Sequence, residues 1–429
     1  MTLNYKNMKI SIYLNLLILF FSFNNTSNAQ QPEFIWGRQF GTDKEEVGTS
    51  VATDRQGNIF LAGTTTGSLF GNNMGKRDGY IIKFDSLGNI LWNKQFGSNN
   101  DDCVRGVAVD HDGNSYLMGY TNEISVDKKN EKQDIFLYKF DVNGNQIFEK
   151  QFKTDSLGNG YQCKILVDDV NNIIISGDTK GNFGGKNAGK SDCFFMKLDT
   201  SGSVLFIKQF GTNEDDFSCG LTTDQYLNIY ICGRTKGKLG ENKVGDFDAF
   251  IAKYSKNGEL LWTKQYGMKE FNMGAAAIVI DNECQIYVAG GTNGNFAGLN
   301  QGLGDCILMK LDSMGGQILW KKQFGTNFWD EVWGIGLLKG NPSEIVISGC
   351  LAEGSGSTRS YCSIYNSDGN LIWNLTLAAQ GKTGGTNGRY LTVCDNKYIY
   401  FTGATNGNLF QQNKGQTDTY IIKLGLINK

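Results

Sequence analysis

The chain has one histidine and two prolines among its 429 residues. His111 alone cannot build a histidine-based catalytic triad, a multi-histidine metal site or a histidine relay, and its place inside the turn "DHDGN" reads as that of an exposed turn residue. The prolines, Pro32 and Pro342, leave the interior sequence free of residues that break a β-ladder. Seven scattered arginines argue against an arginine triad. No CxxC or zinc-type spacing occurs, and no Pro-rich, Ser-rich or single-charge linker divides the chain. Helical periodicity is absent as well.

The long apolar run that does occur lies at the N-terminus. "MKISIYLNLLILFFSF" joins a lysine-bearing start to about 14 apolar positions, fewer than the ~20 that span a bilayer. Polar "NNTSNAQQ" follows, with small residues at Ser27 and Ala29. This pattern predicts a signal peptide over 1–29, cleavage before Gln30, no transmembrane anchor afterwards, and export to the medium, the cell surface or the periplasm. Cleavage takes away Lys6 and Lys9 and no acid, so the net charge goes from −2 to −4. Nucleic acid is excluded as a partner on that balance.

What is abundant is repetition. "GNILWNKQFG" (88–97) returns as "GELLWTKQYG" (258–267) and "GQILWKKQFG" (316–325). The anchor aromatics Trp36, Trp92, Phe148, Phe206, Trp262, Trp320 and Trp373 are 56, 56, 58, 56, 58 and 53 residues apart. A second series, Asp78, Asp134, Asp192, Asp248, Asp305 and Asp418, keeps the same period, with Arg359 in the remaining position. Seven copies account for the chain.

Each copy reads as four short strands, as in "VGTSVATD", "GNIFLAG", "DGYIIKFD" and "NILWNKQFG", joined by hairpin turns such as "DRQGN" and "DSLGN". Four antiparallel strands taken seven times predict an all-β, seven-bladed propeller, a single domain over 30–429. The chain begins with a fourth-type strand, "FIWGRQF", and ends after a third-type strand, "TYIIKLG". The N-terminal strand is therefore expected to complete the C-terminal blade and close the ring.

On "KQFG", "VAxD…GNIYxxG", "GxLxG…GxxD" and "FDxxGxxLW", the chain resembles the bacterial seven-bladed β-propeller repeat (SBBP-type) family over 33–425. That resemblance implies the fold and export, and no general activity. "FDxxGxxxW" is also similar to the tryptophan-docking motif of pyrroloquinoline-quinone-type propellers, which implies a Trp that packs one blade on the next. Sialidase-type propellers use "SxDxGxTW", whereas "SDGNLIW" (367–373) has Asp and Gly adjacent. "DHDGN" resembles the start of a calcium loop but lacks its third acidic position and distal Glu. The ten cysteines read as small buried hydrophobes.

Function is expected on the face that carries the long second-to-third and fourth-to-first loops. The leading expectation is a non-enzymatic, monomeric binding scaffold for a protein or glycan. The alternative is an enzyme on the same scaffold, either a carboxylate-based hydrolase or lyase, or a quinone-type oxidoreductase. Trp329, beside Asp330 and Glu331, is a candidate sugar platform, with burial against a neighbouring loop as the other reading. Glu46, Asp102, Asp216 and Asp330 recur ten residues beyond the anchor aromatic, where the other copies have Gly158, Asn272 and Thr383. They could ring one mouth of the channel and hold Ca2+; alternatively, each caps its own loop.

Overall fold

The computed structural model describes residues 31–122, 133–154, 163–240, 243–314, 316–338, 340, 343–354, 357–380 and 384–426. The expected signal peptide, Gly158 and Thr383 lie outside them. After β1 (Pro32–Phe40), the first blade consists of β2 (Glu46–Thr53), β3 (Ile59–Thr65), β4 (Asp78–Phe84) and β5 (Ile90–Phe96). Five more four-stranded antiparallel blades follow: β6–β9 (101–152), β10–β13 (164–210), β14–β17 (216–266), β18–β21 (273–324) and β22–β25 (331–377). The seventh contains β26 (Thr386–Cys394), β27 (Tyr398–Thr405) and β28 (Asp418–Leu426), with β1 as its outer strand. The N-terminal strand thus closes the ring, pairing Phe40 with Thr419 and Gln39 with Tyr420.

The two middle strands of each blade are covered on both faces by the neighbouring blades. That is why β3, "IFLAGTT", and β4, "DGYIIKF", are buried at every position rather than at alternate ones. The outer strands face solvent and are mostly exposed or half-buried, as in β5. All ten thiols are free, and nine of them are buried, so they serve the packing as small apolar groups.

The repeated motifs are the parts that join blade to blade. In the first hairpin turn the Asp54 carboxylate accepts the N–H groups of Gln56 (3.0 Å) and Asn58 (2.8 Å). Buried Lys83 approaches the same carboxylate at 3.7 Å and donates to the Val142 carbonyl of the next blade at 3.2 Å. Trp92 Nε1 donates to that carbonyl too, at 3.0 Å. Its ring lies where Gly144 (φ 81°) would carry a Cβ, 2.8 Å from the indole, so only glycine fits both the turn and the approach. The expected Trp docking therefore occurs, and it repeats from Trp320 to Ser367 (2.8 Å) and, across the ring closure, from Trp36 to Ser86 (3.4 Å).

The Gln of "KQFG" has an equally specific task. Gln95 donates to Asp78 (3.0 Å) and to the Gly67 carbonyl (3.0 Å), while its oxygen accepts the Phe70 N–H (3.0 Å). One carboxamide thus ties the third strand, the outer strand and the long loop together. The sixth blade carries Arg359 in the Asp position and Thr376 in the Gln position, so both partners of this pair are replaced together. There Arg359 turns to Glu353 at 2.6 Å.

Candidate functional site: the long-loop face and the central channel

The carboxylates picked out by their recurrence stay in their own loops. Glu46, wholly buried, accepts from the Thr42 N–H (2.7 Å), the Thr42 hydroxyl (2.7 Å) and the Thr65 hydroxyl (2.7 Å). Asp102 accepts from the Ser98 N–H (2.6 Å) and hydroxyl (2.8 Å), and Asp216 from the Thr212 N–H (2.5 Å) and hydroxyl (2.9 Å). Asp330 accepts from the Thr326 N–H, the Thr326 hydroxyl (3.0 Å) and the Ala352 N–H (3.0 Å). All four are buried. Burial pushes Asp216 and Asp330 above the ordinary carboxylate range against the pull of these donors. Among the described residues no three or more His, Cys, Asp or Glu side chains gather as metal ligands, so these four are not brought together.

The trio at 329–331 divides along the start of a strand. Trp329 is 53% exposed, one side of its ring lying against Gly304 of the preceding blade. Asp330 is the buried loop cap just described. Glu331 lies on the channel wall, where it accepts from Trp333 Nε1 at 2.9 Å. Trp329 is thus exposed rather than packed away, and it has company. Phe328 is exposed beside it, and Leu303 (66% exposed) donates its N–H to the Phe328 carbonyl at 3.2 Å. Leu299 (81% exposed), Val244 and Phe271 are further exposed apolar residues on the loops of the fourth to sixth blades.

The central channel holds groups that the sequence reading passed over. In six blades the inner strand slips register at one level, leaving Thr49, Arg105, Cys219, Ala276, Trp333 and the pair Arg389–Tyr390 without a ladder partner. Bulges of this kind re-aim side chains out of the alternating pattern. In the third blade Lys164 starts its strand next to the corresponding position. Lys164 Nζ stands 3.7 Å over the Tyr390 ring, although the first two blades separate theirs, so the two residues meet across the channel. Arg105 Nη2 donates to the Tyr120 hydroxyl at 2.7 Å, and Arg389 lies 5.6 Å over Trp333. One level away, Arg234 covers Phe217 and Phe247.

Three of the seven arginines therefore line the channel, against the expectation that they are scattered. Burial acts to raise the Tyr390 phenol, but the charges of Lys164, Arg389 and Arg105 outweigh it and hold the group below its ordinary value. The signal in the sequence was a basic residue on an inner strand otherwise made of small and apolar residues. Spacing alone does not reveal the bulge that brings it forward. His111 is a half-buried turn residue whose backbone N–H donates to Asn171 at 3.1 Å. A cleft of about 390 Å³ lined by Arg38, Phe70, Phe410 and Lys414 lies at the seam of the closing blade, beside the outer strand β1 and away from the channel.

Comparison with known proteins agrees with this architecture. The regulatory protein FlaEY of Caulobacter vibrioides is 22% identical over 216 residues, covering 44% of this chain, which spans only 22% of that protein's length. A polysaccharide lyase, an ulvan lyase solved with bound -[GlcA(1-4)Rha3S]-, superposes with a TM-score of 0.52 at 10% identity, covering 90% of this chain and 96% of its own. A protein of unknown function from Dyadobacter fermentans gives 0.48 at 9% identity, covering 92% and 99%. At 10% identity the likeness to the lyase is one of fold alone. The family model of the SBBP β-propeller repeat matches residues 35–71, 91–124 and 205–241, so three segments of the seven-bladed ring match that repeat.

Proposed function

We propose that the protein is an exported, non-enzymatic binding scaffold whose long-loop face takes a macromolecular partner over the fourth to sixth blades. The observation that carries this reading is the exposed group Leu299, Leu303, Phe328 and Trp329 on loops held by a rigid ring. A contiguous exposed apolar patch on a soluble fold marks an interaction surface. Its mixture of leucines with aromatics suits a protein partner, in which a few buried anchors supply most of the binding energy. The exposed indole of Trp329 also favours a second reading, a glycan whose sugar ring stacks on it.

The test is to probe protein and glycan arrays with the chain lacking residues 1–29, beside its Trp329→Ala and Leu303→Ala variants. Both side chains are exposed, so unfolding midpoints should stay within about 0.5 kcal/mol of the parent. Binding to a protein that both substitutions weaken supports the first reading; binding to a glycan that only Trp329→Ala weakens supports the second. Binding that neither substitution changes removes the long-loop patch from the function.

A further inference from the structure

We propose that the central channel contains an oxyanion-binding site formed by Arg105, Lys164 and Arg389 around Tyr390, which takes a carboxylate, sulfate or phosphate group. This site is separate from the apolar loop patch, and it stands or falls independently of the partner proposed there.

The first ground is charge placed where charge is costly. Among the described residues, the channel at and beside the bulge level presents Arg105, Lys164, Arg234 and Arg389, and the carboxylates Glu331 and Asp178. Glu331 is already engaged by Trp333, and Asp178 accepts from Ser191 at 3.3 Å. The chain as a whole is net negative, so a cationic channel runs against its average composition. Drawing like charges together inside a protein is unfavourable unless a counter-charge joins them.

The second ground is unfilled donor capacity. Among the described residues Arg389 Nε and Arg234 Nε have no hydrogen-bond partner, and both are buried. A guanidinium offers five N–H groups in a planar fork suited to an oxyanion, and a buried N–H without an acceptor is destabilising. The third ground is convergence. Lys164 reaches across the axis to Tyr390, which follows Arg389 in the same bulge, so residues of different blades address one point. The depressed titration of the Tyr390 phenol agrees, since it reports the positive potential there. The Trp333 ring lies at the same level beside Arg389, and would suit a ligand carrying its anion on a ring.

The experiment titrates the full chain lacking residues 1–29 with inorganic sulfate, glucuronate and glucose at low millimolar concentration and matched ionic strength. At pH 9 the tyrosinate absorbance near 295 nm is followed beside the unfolding temperature. An anion bound at the site neutralises the surrounding charge, so absorbance should fall saturably while the unfolding temperature rises. Arg389→Gln and Lys164→Gln should each abolish both responses, and the unfolding of each variant in chloride alone shows whether it folds. Response to sulfate and glucuronate alike assigns the site to the anion itself; response to glucuronate alone assigns it to an acidic sugar. Glucose should be silent. No saturable response to either anion, or an equal response in folded Arg389→Gln and Lys164→Gln, would overturn the proposal.

Discussion

Gln39 and Asp418 are 379 positions apart in the chain and 2.8 Å apart in the fold. The Gln39 carboxamide also donates to the Gly407 carbonyl at 3.2 Å and accepts the Leu409 N–H at 3.0 Å. This is the arrangement that Gln95 and Asp78 make inside a blade, here joining the two ends of the chain. Gln39→Leu leaves the buried Asp418 carboxylate with one donor fewer, and should cost about 2–3 kcal/mol in chemical denaturation. Deleting residues 30–44 should do far more, exposing the edge of β28 and causing global destabilisation and aggregation. A truncated chain with the parental midpoint would show that β1 is dispensable for closure.

The buried loop acids lead to a second prediction. Each accepts from an amide and a hydroxyl of its own loop, and among the described residues no three such acids gather, so millimolar calcium should leave the unfolding temperature unchanged. Asp216→Asn replaces a charged acceptor by a neutral one against the Thr212 N–H and hydroxyl, and should cost about 1–3 kcal/mol with or without calcium. A calcium-dependent rise in unfolding temperature that vanishes in Asp102→Asn with Asp216→Asn would restore the cation-binding reading.

Titration of Tyr390 supplies a third. Its folded value lies below the unfolded value of about 10, so the fold favours the phenolate. The associated stability is therefore fully present above the unfolded value and is lost as pH falls through the folded one. Many other tyrosines are shifted the opposite way by burial, Tyr120 to about 12. A tyrosinate absorbance step below pH 10 should thus appear in the native chain and disappear in Tyr390→Phe. If the step survives that substitution, another residue is responsible.

A fourth concerns a turn. In the hairpin "DQYLN" of the fourth blade, Leu227 stands at φ 64°, where the first two blades have Gly57 and Gly113. A left-handed conformation costs a side-chain-bearing residue roughly 1–2 kcal/mol, partly offset in glycine by its greater freedom when unfolded. Leu227→Gly should therefore stabilise the protein by about 0.5–1 kcal/mol in denaturant unfolding. A loss of stability would mean that packing by the Leu227 side chain outweighs the backbone strain.

The ring, its closure and the Trp docking were legible because they depend on features that every copy repeats: apolar runs, an Asp-led turn and an aromatic residue at fixed spacing. Counting from the anchor aromatic failed where loop length varies. In the fifth copy it selects Asn272, yet Met273 occupies the rung of Glu46, pairing with Thr292 and donating its N–H to the Phe247 carbonyl at 2.9 Å. In the seventh blade that rung belongs to Thr386, paired with Thr405, rather than to Thr383. Trp329, Asp330 and Glu331 looked like one group because they adjoin in sequence, but entry into a strand sends neighbouring side chains to different surroundings. The channel cluster was hidden for a related reason: Arg105, Lys164 and Arg389 are far apart in the chain and converge only through ring closure and an extra residue in the ladder.

That extra residue has a consequence for how such a protein can change. Blade motifs constrain one another, and a substitution in one must be matched by its partner, as Arg359 and Thr376 show. The unpaired position on six of the inner strands takes no part in a ladder bond, so its side chain can be exchanged while the blade keeps its pairing. A protein assembled from near-identical copies thereby keeps a circle of independently variable positions around its axis, and can vary the chemistry of its centre by point mutation while the surrounding copies continue to resemble one another.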